Sequence, residues 1–326
     1  MPQPSFYDHL KDQQIVWARS QGIGERETEA DHKRPWVLKP ECRALHLWNA
    51  AWWSHIAGKE HPWARALTSS QCFAVNLFAP LAADPTLARQ VLLRLRPDRA
   101  LAAGDSIEVA LEFTPPEAPA WLGESRQATQ VDPAFVVRRN GDPVGYLLIE
   151  VKLGERSFGA CRGAKKPNPS SAGNPRPHRC RSFAQVLGDP ERECWLAETE
   201  GRTYWRYLRD AAGPFRFDRL PDDAPCPFSG GLYQLMRNRV LAHALVRDGS
   251  AEWAEFALCT HPGNDAVDAL DESVAGTSSA HVAFRSLLRS AEELIELRPA
   301  AIIGATLAAA PDLASWGEWV RHRYRI

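Results

Sequence analysis

Glu150 and Lys152 stand two residues apart in the apolar run GYLLIEVKLGE, residues 145–155. Side chains alternate along a strand, so in a strand the two share one face. A second acid, Asp132, lies upstream in QATQVDPAFVVRR, also an apolar run. Two carboxylates and an amine on one sheet face would be hard oxygen donors beside a cationic hydrogen-bond donor; alone, Glu150 and Lys152 would be no more than a buried ion pair.

The elements around these residues decide whether they meet. Asn140-Gly141-Asp142 separates the two runs, and Asn-Gly between apolar segments is a strong hairpin signal. A three-residue loop, 140 to 142, sets Arg139 opposite Pro143 and, counting outward, Asp132 opposite Glu150, with Cβ atoms about 5 Å apart. A two-residue loop opposes Asp132 to Ile149 and puts the acids on different faces. Upstream, SIEVALEFT (106–114) alternates as a strand, and TSSQCFAVNLFAPL predicts a short buried helix from Ser70 to Phe78 that ends before a proline. Downstream, SGGLYQLMRNRVLAHALVRDG predicts a helix capped by Ser229 and stopped at Gly249, and residues 251–261 predict another strand. Helices are expected at 5–20, 43–57, 280–297 and 312–324. Trp36, Trp48, Trp52 and Trp53 are expected to pack in a helical core.

Asp132 on the second strand, Glu150-Val151-Lys152 on the third, and the order helix, three strands, helix, strand resemble the PD-(D/E)XK nuclease superfamily over about residues 66–262. Q-L-M-R, which places Gln234 and Arg237 on one helix face, looks like the signature of RecB-type relatives. The resemblance implies an α/β restriction-endonuclease-like core (αβββαβ, a mixed sheet flanked by helices) with helical N- and C-terminal additions, divided as 1–65, 66–262 and 263–326. It implies that Asp132 and Glu150 hold Mg²⁺ or Mn²⁺, with the Val151 carbonyl and Glu112 as further ligands, and that Lys152 orients the attacking water. Gln234 and Arg237 would position substrate, and Ser70 or Gln71 would line the site. The implied reaction is hydrolysis of a phosphodiester, most plausibly in DNA, by a metal-activated water. Here Val131 precedes and Pro133 follows Asp132, whereas in the family motif the proline precedes the acid. Asp142, eight residues before Glu150, belongs to the turn.

Between Arg156 and Ser182 there are seven Lys or Arg and no acid: Arg156, Arg162, Lys165, Lys166, Arg176, Arg179 and Arg181. The proline, glycine and serine content predicts a basic flap, either contacting phosphates or simply solvated. Cys161, Cys180, Cys194 and Cys226 are candidates for zinc or an iron–sulfur cluster, although no C-x-x-C pair occurs, and the alternative is buried thiols. Cys42, Cys72 and Cys259 read as core, and His243 and His261 as packing or surface residues. The net charge of −1 excludes attraction of nucleic acid by the overall field, and no run is apolar enough for a membrane span. A cytoplasmic protein is expected, with its oligomeric state open, although many relatives in the family it resembles dimerise. Two other functions fit the residues: a binding module of this fold without turnover, and a structural or partner-binding protein whose Glu150–Lys152 pair only stabilises its strand.

Overall fold

The structure, a computed structural model, describes residues 5–125, 128–165, 173–249 and 251–326. Helix α1 (Phe6–Ser20) begins at a capping box between Ser5 and Asp8. The core follows as α2 (Ser70–Ala83), α3 (Pro85–Leu95), β1 (Ser106–Phe113), β2 (Val131–Arg139), β3 (Asp142–Lys152), α4 (Tyr233–Arg247) and β4 (Trp253–Thr260). Strand β5 (Ile295–Leu297), α5 (Pro299–Ala309) and α6 (Ala314–Tyr324) complete it. The sheet runs β1-β2-β3-β4-β5; its first three strands are antiparallel, whereas β3, β4 and β5 pair in parallel. Joining β3 to parallel β4 requires a long crossover, which α4 and the segment before it provide.

Alternation along the strands sorts the sheet into two apolar layers. Phe135, Val137, Leu147, Ile149 and Val151 pack with α2, α3, α5 and α6. Ala134, Val136, Tyr146 and Leu148 pack with α4 and the short helices before it. Asp132, Glu150 and Lys152 share the parity of the second set and so belong to the α4 face.

The β2–β3 turn corrects the expected loop while preserving its consequence. Arg139 pairs with Asp142, not Pro143, so the loop is the two residues Asn140 and Gly141, both at positive φ. The register then slips by one: Arg138 pairs with Pro143, Val137 with Gly145, and Ala134 with Leu148. Val144 is the extra residue, and its carbonyl accepts from the Glu252 amide at 2.8 Å. The bulge restores the count that aligns Asp132 with Glu150. Gly145 follows from packing, because a Cβ there would lie 2.2 Å from the Trp253 ring.

Other expectations fail for identifiable reasons. Helix α2 does not stop at Phe78 but continues through Pro80. Proline removes the amide that would reach the Asn76 carbonyl, and the Trp316 indole Nε1 donates to that oxygen instead, at 2.8 Å. Residues 43–57 form turns and a 3₁₀ segment (Ala50–His55) rather than an α-helix. Buried Asn76 and Arg323 donate to the His46 carbonyl, and the Asn76 Oδ1 accepts from the Trp48 amide, so side chains take the groups a helix would pair. Only Trp53 of the four clustered tryptophans is buried; Trp48 is exposed. Ser229 does not cap α4: its hydroxyl donates to the Cys226 carbonyl, and the helix starts at Tyr233. The expected helix 280–297 ends at Ser286, where the backbone pairs with residues 214–216, and resumes as strand β5. Cys72 and Cys259 are buried, but Cys42 is only partly covered.

Candidate active site

Glu150 and Lys152 are 1 % and 7 % exposed, and their side chains meet, Lys152 Nζ to Glu150 Oε1, at 2.7 Å. The other carboxylate oxygen of Glu150 accepts from Asn238 Nδ2 of α4 at 2.6 Å. Across the ladder, Asp132 Oδ2 accepts the Val151 amide proton at 2.6 Å. Asp132 therefore grips the backbone between Glu150 and Lys152 while sharing their face.

Glu112 joins from β1 through a local distortion. Its φ is 50°, a left-handed conformation inside a strand, and its carbonyl leaves the ladder to accept from Lys59 Nζ and Gln130 Nε2, both at 3.0 Å. Its carboxylate accepts from Gln71 Nε2 at 2.7 Å, at the start of α2. Glu155, not singled out in the sequence, closes the other side: it accepts from the Leu153 and Gly154 amides and from the Ser70 hydroxyl, and lies 3.9 Å from Lys152 Nζ.

Acids outnumber amines here, and the titration behaviour shows it. Burial, then the nearby Glu150 carboxylate, pushes the Asp132 carboxyl well above its usual range, against the pull of Lys152. Burial raises Glu112 to about 7; the Gln71 hydrogen bond opposes this and Glu150 adds to it. For Lys152, burial favours the neutral amine, but Glu150, Glu155 and Asp132 outweigh it and hold the ammonium charged.

The site opens into a cleft of about 710 Å³, one wall of which comes from the N-terminal region through Tyr7, Lys59, His61 and Trp63. Sequence reasoning missed this wall, because long-range packing leaves no local pattern, and it missed Asn238 as well. Ser70 and Gln71 line the cleft as expected, as do Gln234 and Arg237. Arg237 is held by the buried Glu124 at 3.6 Å and by the Thr129 hydroxyl at 3.2 Å, and its guanidinium lies over Tyr233.

The basic segment is less available than its composition implies. Arg162, Arg176 and Arg179 pair with Glu200, Glu198 and Glu193. Arg156, Lys165 and Arg181 are exposed, and Lys166 lies outside the described residues. Cys161, Cys180, Cys194 and Cys226 are free thiols, Cys161 buried and the others partly covered. His243 pairs with Asp210, and His261 bonds the Tyr324 carbonyl.

Among the described residues, no three His, Cys, Asp or Glu side chains stand ready as a metal-ligand set. The donor chemistry at the sheet end nevertheless fits a hard divalent cation: oxygen donors only, with burial and mutual repulsion driving Asp132 and Glu112 toward the protonated state that a dication would reverse. No helix among the described residues is long and apolar enough to cross a membrane.

A mixed five-stranded sheet flanked by helices, with clustered acids and a lysine at the end of its central hairpin, defines a restriction-endonuclease-like protein. Residues 49–324 match the family described as restriction endonuclease associating with ARP, and the chain belongs to that family. No curated protein and no solved structure matches it.

Proposed function

We propose that this chain is a metal-dependent nuclease that hydrolyses phosphodiester bonds, with DNA as its substrate. The observation that carries the reading is the shared face of Asp132, Glu150 and Lys152, open to a cleft large enough for a nucleotide segment. Asp132 and Glu150, supported by Glu112, are the residues that would hold Mg²⁺ or Mn²⁺. When bound, the ion supplies Lewis-acid polarisation of water and of the phosphoryl oxygen. Lys152, kept charged by its acidic neighbours, donates hydrogen bonds toward the attacking oxygen or the phosphoryl group and offsets developing negative charge. Arg237, fixed by Glu124 and Thr129, and Lys59 present positive groups to a phosphate backbone in the cleft, and Gln234 offers an amide on the same wall. The exposed Arg156, Lys165 and Arg181 extend that contact beyond the cleft.

A buried Glu150–Lys152 pair would also serve a purely structural protein, but it would not require Asp132 and Glu112 to be packed beside it at an unfavourable electrostatic cost. Plasmid nicking with Mg²⁺ or Mn²⁺ tests the reading: the parent should cut, and Glu150→Ala and Lys152→Ala should not. Equal cleavage by all three would defeat the site, and DNA binding that persists in EDTA without cleavage by the parent would leave a binding module. The family's description names an association with ARP; extended to this chain, it points to a nuclease that works beside a protein partner.

A further inference from the structure

The N-terminal wall of the cleft carries an aromatic ring for which the hydrolysis itself has no use. Trp63 is 51 % exposed, and of the large apolar side chains exposed among the described residues it is the one that lines the cleft. Trp48, exposed elsewhere, is turned edge-on to Trp319, with ring centroids 5.7 Å apart. The backbone beneath Trp63 is fixed. Pro62 locks the preceding φ, the Trp63 amide donates to His61 Nδ1 at 3.2 Å, and the Trp63 carbonyl accepts from the Ala66 amide at 2.9 Å. Gln71 ties this stretch to the acids: its side chain accepts from the His61 amide at 3.0 Å and donates to the Lys59 carbonyl at 3.0 Å and to the Glu112 carboxylate at 2.7 Å. Glu60, the one acid between Lys59 and Trp63, is turned back onto the Gly58 amide at 2.8 Å. An exposed ring is thus held in register with the acidic floor, in the same wall as the Lys59 ammonium.

We propose that Trp63 is a stacking platform for an unpaired nucleobase, so that the cleft takes DNA as a single strand; this rests on the cleft being the nucleic-acid site of the proposed function. Inside a duplex the faces of each base are covered by its neighbours, and a protein ring can add only to a base that is out of the stack. Every base has a π face, so the platform selects for the state of the strand and not for its sequence. The floor of the cleft agrees with this, because Glu150 and Lys152 are almost closed off from solvent. A phosphate must be brought deep to reach them, which a flexible strand does without the cost of deforming a paired helix. A nucleotide whose base lies on Trp63 leaves its phosphates to Lys59 and Arg237, which line the same cleft.

Binding of three oligonucleotides of one length to the full chain tests this, with EDTA present so that none is cut: a single DNA strand, its blunt duplex, and an abasic strand that keeps the phosphates without the bases. The parent should bind the single strand most tightly. Trp63→Ala should weaken that binding roughly 5- to 150-fold, the worth of one stacked base, and Trp63→Phe should recover much of the loss. Binding of the abasic strand should respond to neither change. Lys59→Ala should instead lower the salt dependence by about one phosphate contact, a slope that Trp63→Ala leaves alone. Because Trp63 is exposed, its variants should melt with the parent, so lost affinity is not lost fold. Equal affinity for the single and abasic strands, or of the parent and Trp63→Ala for the single strand, overturns the platform, as does a preference for the duplex or binding of none of the three. Plasmid nicking is read separately: cleavage by a parent whose binding ignores Trp63 keeps the nuclease and loses the platform, whereas base-dependent binding without cleavage does the reverse.

Discussion

Asn238 Nδ2 donates to Glu150 Oε2 at 2.6 Å, both groups buried, and so ties the middle of α4 to the end of β3 beneath the cleft. The bond occupies one carboxylate oxygen and leaves the other to Lys152. Asn238→Leu strands that oxygen without a donor, which costs about 1–3 kcal/mol. Asn238→Asp sets a like charge against Glu150 and should cost more. Chemical denaturation checks both, and unchanged midpoints would mean the bond is idle.

Lys152 and Glu150 give a prediction that separates stability from turnover. Lys152→Met leaves a buried carboxylate unpaired and should destabilise the fold by about 3–5 kcal/mol. Adding Glu150→Gln removes the orphaned charge and should recover most of that loss, while nicking activity stays absent. If the double variant regains cleavage along with stability, the pair is structural only.

Glu112 predicts a pH dependence. Its folded pKa, about 7, lies above the ordinary 4.5, so the folded state holds the proton more tightly. The associated stability is present below pH 4.5 and is lost as pH rises through 7. Glu112→Gln should flatten this part of the stability profile relative to the parent. On the proposed function Mg²⁺ should act in the opposite sense, stabilising the parent more as pH rises through the same window, because it would bind the ionised carboxyls. Parallel profiles for parent and variant would show that Glu112 does not titrate there.

Much of this site was legible because its signals are local. Alternation placed β1 to β4, and Glu150 and Lys152 share a face by the period of a strand alone. The Asp132 alignment came from a miscounted loop; the bulge at Val144 compensates, and a bulge driven by the Glu252 amide and the Trp253 ring has no mark in the hairpin itself. Asn238 stands one turn after Gln234 and so shares its face, but the Q-x-x-R signature does not include it. The N-terminal wall of the cleft and strand β5 depend on contacts made across the chain. Three residues of strand carry no periodicity to detect.

Trp316 and Pro80 show how such distant contacts overrule local propensity, and they yield a test. The indole N–H of Trp316, on α6, donates to the Asn76 carbonyl that Pro80 leaves unpaired. Trp316→Phe should destabilise by about 1–3 kcal/mol for the buried acceptor alone, besides the packing lost. Pro80→Ala supplies an amide that can reach the same carbonyl, so in the Trp316→Phe background it should be markedly less harmful, or more helpful, than in the parent. A double-mutant cycle measured by denaturation reads that coupling directly. Strict additivity would mean the indole is not what carries α2 through its proline.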